Sequence, residues 1–288
     1  MRLHADLVRD AEGICDVRIL ADNTRGVFAG LLDDERVHVF DVGDIHALNY
    51  PGKEDLLLET TRDQADRDHA YFNFMPGNVH LPPIVFFKKN PHYDHYWVVE
   101  YDVCYTGSWG AFFGHFAASD ADLLGTTLVR RTDFPDWHQW DGVDIHDESI
   151  AERDYVRGFY PVCRFSRRAL EQLDGDLRRG VKGHQEALLA TLLLAAGQKI
   201  EDIGDDGEFV SATNRGRFYR NNPAREWLTP GTFTYRPVRE RAGREPDMLW
   251  HPVKPSPFPV NYIRMLKAAI RANLPVLARF YDRAVKRR

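Results

Sequence analysis

The 288-residue chain has little of what would classify it at sight. Its three cysteines, Cys15, Cys104 and Cys163, are an odd number at wide spacing. That excludes a disulfide framework and the usual zinc-ligand spacings, and it fits reduced thiols inside a cell. The longest apolar run, Ala187 to Ala196, is too short to cross a bilayer. Asp6, Arg9, Asp10 and Glu12 interrupt the N-terminus where a signal peptide needs an apolar stretch. The formal charge of -5 lacks the basic footprint of a general nucleic-acid binder, although an anionic small molecule needs only local positive charge. No internal repeat or low-complexity tract occurs. The G-x-G-x-x-G, G-x-x-x-x-G-K-[ST] and G-x-S-x-G signatures are absent, which removes the usual dinucleotide, P-loop and nucleophile-elbow readings. A soluble cytoplasmic protein with no nucleic-acid partner is expected.

What is present is a core-forming composition, 43% hydrophobic and 12% aromatic, in an alternating pattern. Leu3 to Glu12 has helical spacing, Val17 to Ala21 reads as a strand, Arg25 to Leu32 as a short helix and Val37 to Val42 as a second strand. This rhythm belongs to a parallel sheet with helical crossovers. Further on, Val79 to Lys89 reads as a helix that tolerates Pro82 and Pro83 in its first turn. Thr126 to Arg130 and Phe159 to Phe165 read as strands, and Ser166 is a plausible cap for the helix Arg167 to Leu173. Ala187 to Ala196 forms an apolar helix that Gly197 closes. With no obvious linker, residues 1–262 are read as one α/β domain and residues 263–288 as a basic amphipathic C-terminal helix. That helix suits an anionic membrane surface or plain solvent.

The stretch from His95 to Gly107 holds the strongest chemical signal. A β-favouring run ends in Glu100 and Asp102, spaced so that strand side chains would emerge on one face. Two hard oxygen ligands at a strand end suit a divalent cation bridging phosphates. The alternative is an ordinary turn in which Asp102 bonds its own backbone. His251 and Lys254, in a proline-stiffened loop, offer a coordinating imidazole and a phosphate-neutralising ammonium, or are plain surface residues. Glu186 opens a helix beside His184, as general base or as a match to the helix dipole. Trp137, His138, Trp140 and Asp141 could hold a sugar, and His138, Asp141 and His146 could hold a hydrolytic metal. Packed loop aromatics explain the same residues. Asp22 and Asn23 end the first strand, where a nucleotide's base or ribose can be read, and both are also default turn residues.

Three ordered motifs resemble the GT-A class of nucleotide-sugar glycosyltransferases, within a group whose central motif is W-x-x-E-x-D-V followed by an aromatic-Thr/Ser-Gly. Here these are Trp97, Glu100, Asp102 and Val103, then Tyr105-Thr106-Gly107. The group's G-H-x-E helix start with a later Thr matches Gly183-His184-Gln185-Glu186 and Thr191, and its H-P-V-K matches His251 to Lys254. The resemblance implies a Rossmann-like, mostly parallel sheet flanked by helices. It also implies Mn²⁺ or Mg²⁺ on Asp102, Glu100 and His251, and Glu186 with His184 as base or acceptor contact. Nucleotide contacts then fall to Asp22, Asn23 and Lys254, with an acceptor pocket at Trp137, His138, Trp140 and Asp141. The partners implied are a nucleotide-sugar donor and a glycan or other hydroxyl acceptor. A non-catalytic glycan- or protein-binding module of the same fold and a metal-dependent hydrolase are the rival expectations. Two features depart from the pattern. The acidic pair is Glu-x-Asp where Asp-x-Asp is commoner, and the chain opens on a helix where the fold begins with a strand. The first strand is therefore expected to be absent, truncated or ahead of Met1, leaving an unpaired apolar edge beside it.

Overall fold

A computed structural model describes residues 2–24, 26, 34–53, 77–147, 149–221, 231–235 and 238–255. The helix read at 25–32, apart from Gly26, and the C-terminal helix at 263–288 lie outside the described residues. The elements run α1 (Arg2–Asp10), β1 (Ile19–Asp22), β2 (Val37–Phe40), α2 (Val42–His46) and α3 (Leu81–Lys89). Next come β3 (His95–Val99), β4 (Cys104–Tyr105), α4 (Trp109–His115), β5 (Leu123–Arg130) and β6 (Val156–Ser166). The last are α5 (Arg167–Arg178), α6 (Gln185–Ala195), β7 (Ile200–Asp202) and β8 (Leu249–Trp250).

The central sheet has the order β3-β6-β5-β7. Strand β6 is antiparallel to both of its neighbours and β5 is parallel to β7, so three of the four strands run one way. The mixed α/β class and the mostly common strand direction agree with the sequence. Strand β6 is buried along nearly its whole length, as a strand covered on both faces must be. Helix α6 is apolar all round and buried, and Thr191 ties it to β6 by accepting from Val156 N at 2.9 Å and donating to Val156 O at 3.1 Å. Ser166 caps α5 by accepting from Ala169 N at 3.0 Å, and Pro82 and Pro83 sit in the first turn of α3. Helix α1 meets α4 where only glycine fits: a Cβ on Gly110 would lie 2.0 Å from Asp10 O.

The expected strand at Val17 to Ala21 exists as β1, but its parallel partner is β2 alone. Among the described residues this pair does not join the four-stranded sheet, and β3 has a strand neighbour on one side only. Ile19 and Leu20 of β1 and every residue from Tyr93 to Tyr101 border one cavity of about 1290 Å³. Tyr93 Oη donates to Asp16 at 2.8 Å, so β1 and β3 begin side by side. A strand is therefore formed near the start of the chain, where the sequence predicts it missing or truncated, and among the described residues it does not pair with β3.

Strand β6 bulges opposite that edge. Arg164 pairs with Leu124, but the next register partners are Phe159 and Thr126. The extra residues, Tyr160 to Cys163, include Pro161, which has no N–H to give a ladder and whose carbonyl accepts from Glu100 N at 2.8 Å. Strand β5 answers with Thr127 at φ 54, an unusual conformation for a β-branched residue. Tyr219 Oη holds it by accepting from Thr127 N at 2.6 Å and donating to Asp202 Oδ1 at 2.8 Å, while Asp202 Oδ2 accepts from Leu128 N at 2.7 Å.

Burial pushes the Asp202 carboxyl up to about 7, against the donors that favour its charge. The native state therefore holds this proton more tightly than the unfolded chain, so the associated stability is whole below about pH 4. It is lost as pH rises through about 7. Urea midpoints are expected to fall between pH 5 and pH 8, with Asp202→Asn showing a flatter profile. An identical slope in the variant would remove Asp202 as the cause.

Candidate metal centre and its cavity

Strand β3 stops at Val99, and Val103 N donating to Glu100 O at 3.1 Å closes a turn around Glu100, Tyr101 and Asp102. The carboxylates thus converge through a turn and not through the two-residue repeat of a strand. Pairing of β4 with β8 sets Cys104 opposite Trp250, which carries the next residue, His251, alongside. Val253 N donating to Asp102 O at 2.7 Å clamps the loop against the turn. One ligand atom from each of Glu100, Asp102 and His251 lies within 4.8 Å of the others.

Each side chain is oriented by what surrounds it. His251 Nδ1 lies 2.9 Å from Thr234 O, which can only accept, so Nδ1 carries a proton. Nε2 is then turned to the acids, 3.4 Å from Asp102 Oδ1 and 3.6 Å from Glu100 Oε2. Phe159 and Phe233 pack on the ring with centroids 5.3 and 5.5 Å away. Lys254 Nζ lies 2.7 Å from Asp102 Oδ2. Asp102 is 3% exposed, and its Oδ1 is buried without a hydrogen bond. The partner that faces this oxygen is His251 Nε2 at 3.4 Å, an ion pair longer than a good hydrogen bond.

Burial opposes charge on all three inner groups, and mutual attraction overcomes it. Desolvation favours the neutral form of Asp102, yet His251 and Lys254 hold its carboxyl below the usual range. Burial disfavours the His251 imidazolium, but Asp102 and Glu100 raise it to about 9. Lys254 is likewise raised despite its partial burial. Two carboxylates, an imidazolium and an ammonium therefore balance. A cation held here would have to displace the Nε2 proton, as metal binding to histidine does in general. The donors, two carboxylate oxygens and one imidazole nitrogen, could hold a metal ion.

Glu100, Tyr101 and Asp22 border the 1290 Å³ cavity, and so does Gln185 at the start of α6. Asp22 also accepts from Thr24 N at 2.9 Å, the local turn bond that its residue type allows. Asn23 N donates to Phe40 O, continuing the β1–β2 ladder. His184 caps α6, its Nδ1 accepting from Glu186 N at 3.3 Å, and burial lowers this imidazole to about 4, so it is neutral. Glu186 stands in the first turn, outside the three-residue ligand group.

The expected acceptor pocket is partly packed away. Trp137 lies against Arg157, with the guanidinium carbon 4.4 Å from its ring centre, and Trp140 Nε1 donates to Phe134 O at 2.9 Å. At 8% and 3% exposure neither indole offers an open face to a sugar, because both are needed to cover the core around a buried arginine. His138 and Asp141 are the members that reach solvent. His146 pairs with Asp144 at 2.8 Å. Among the described residues His138, Asp141 and His146 form no ligand group, so the hydrolase expectation lacks its geometry.

Sequence reasoning gave no role to Tyr101 or to the Thr234 carbonyl. The backbone acceptor has no signature in residue type, while Tyr101 was visible between the acids. No described helix is long and apolar enough to cross a membrane. No protein-family model, curated protein or solved structure matches the chain.

Proposed function

We propose that the chain is a GT-A-type glycosyltransferase, moving a sugar from a nucleoside diphosphate to an acceptor hydroxyl with a divalent cation. The observation that carries this reading is the meeting of Glu100 and Asp102 with His251 and Lys254, with Glu100 reaching the border of a large cavity. These pairs are far apart in sequence, and the buried Asp102 carboxylate faces both His251 and Lys254. Mn²⁺ or Mg²⁺ held by Glu100, Asp102 and His251 supplies Lewis-acid stabilisation of the leaving diphosphate.

In the reaction the bond from the sugar's anomeric carbon to the diphosphate oxygen breaks, and the electron pair leaves with the nucleoside diphosphate. The acceptor oxygen bonds to that carbon and gives its proton to Glu186. Lys254 neutralises the diphosphate, Asp22 and Asn23 face the nucleoside, and His138 and Asp141 meet the acceptor.

Calorimetric titration with UDP and GDP, with and without Mn²⁺, tests the reading. Metal-dependent binding of at least one nucleotide is expected. A folded sample that binds neither under either condition sinks it.

A further inference from the structure

Among the described residues Tyr101 is the most exposed large apolar side chain, at 65%. Single exposed tyrosines are ordinary. This one differs in its place and its restraint. It stands between the two candidate metal ligands and borders the cavity. Lys254 Nζ lies 3.3 Å from its hydroxyl and 5.4 Å from its ring centre, while the same ammonium is bound to Asp102. The cation therefore lies over the hydroxyl end of the ring, and at 65% exposure much of the ring surface stays uncovered. A flexible side chain has been fixed, with its polar end satisfied and its flat surface uncovered, beside the charges that would hold an anion. Fixing the platform beforehand reduces the ordering cost of binding.

We propose that Tyr101 is the platform for a ring carried directly by the diphosphate of the ligand, while Lys254 meets the diphosphate itself. The proposal rests on the diphosphate reading of the site. The ring's source is either the nucleoside, whose base is flat, or the transferred sugar, which offers a face of C–H groups to an aromatic ring. An aromatic face adds affinity for the ring without adding any for a bare phosphate.

The test compares Mn²⁺-dependent binding of inorganic pyrophosphate, UDP and UDP-glucose to the wild-type chain, Tyr101→Ala and Tyr101→Phe, with Mn²⁺ affinity followed separately by electron paramagnetic resonance. Loss of the ring is expected to weaken one ring-bearing ligand about tenfold while pyrophosphate and Mn²⁺ change less than twofold. Tyr101→Phe is expected to lose less than Tyr101→Ala, because it keeps the face and gives up only the restraint that Lys254 places on the hydroxyl. A loss already present with UDP assigns the nucleoside, and a loss confined to UDP-glucose assigns the sugar. Equal weakening of pyrophosphate and both nucleotides overturns the proposal, since Tyr101 would then only position Lys254. No change with any ligand overturns it as well. If the wild type binds none of the three, the diphosphate reading falls and takes this proposal with it. If it binds all three and Tyr101→Ala matches it, only this proposal falls.

Discussion

Under the proposed reading, Asp102→Ala is expected to abolish Mn²⁺ binding and to lower sugar transfer by about a thousandfold, on the scale of losing a main electrostatic contact to a transition state. Its buried Oδ1 faces His251 Nε2 at 3.4 Å, and its Oδ2 holds Lys254. Nothing else among the described residues can take over, because Glu100 lies further out and touches His251 only at 3.6 Å. The substitution also removes the countercharge of a buried cation pair, which costs about 3–5 kcal/mol when one partner of a buried pair is deleted. A drop in Tm is therefore expected, and it has to be separated from the loss of metal. Asp102→Asn does this, since it keeps the volume and one oxygen while losing the charge. Electron paramagnetic resonance of Mn²⁺ against the folded Asn variant should show binding weakened by at least tenfold. Wild-type Mn²⁺ affinity in that variant would remove Asp102 from the centre.

Arg164→Ala has the largest effect on the fold, about 4 kcal/mol by the scale for breaking buried charged networks. The side chain is 2% exposed and donates to three carbonyls, Phe116 O at 2.8 Å, Ser119 O at 2.8 Å and Ala121 O at 3.0 Å. It thereby fastens the end of α4 and the entry to β5 onto β6. Alanine leaves these acceptors facing a cavity that a guanidinium filled. Arg164→Lys supplies one ammonium where a planar fork served several directions, so an intermediate loss is expected. Chemical denaturation should rank wild type, Lys and Ala in that order. A cost for alanine below about 1 kcal/mol would mean that water reaches the carbonyls freely. Because Arg164 stands opposite Trp97 in the β3–β6 register, the damage spreads to the strand that leads into Glu100.

What could be read in the sequence followed from periodicity and from end signals. The apolar helix beginning at His184, the cap at Ser166 and the strands β1, β2, β3, β5 and β6 all carry local patterns that tertiary packing reinforces. Pairing was less legible. Nothing in residue type says that β6 runs against its neighbours, since a strand buried on both faces is a continuous apolar run in either direction. The bulge at Tyr160 to Cys163 announces itself only through Pro161, and the strained Thr127 through nothing local.

The candidate site divides the same way. Glu100, Asp102, His251 and Lys254 were recognisable because their chemistry is rare in such positions, and the pairing of β4 with β8 brings them together. Trp137 and Trp140 misled because indoles beside acids look alike whether they face a sugar or cover Arg157. The geometry that decides between those cases depends on residues of β6 distant in sequence.

The outer edge of β3 has a consequence of another kind. Asp94 O and Glu100 N are both used by the β6 side, so His95, Trp97 and Val99 turn their backbone groups the other way. Among the described residues no strand takes up these groups, and they border the cavity together with Ile19 and Leu20 of β1. An extended segment laid along this edge would gain main-chain hydrogen bonds. The same piece of backbone runs into the candidate centre, because the edge ends at Glu100.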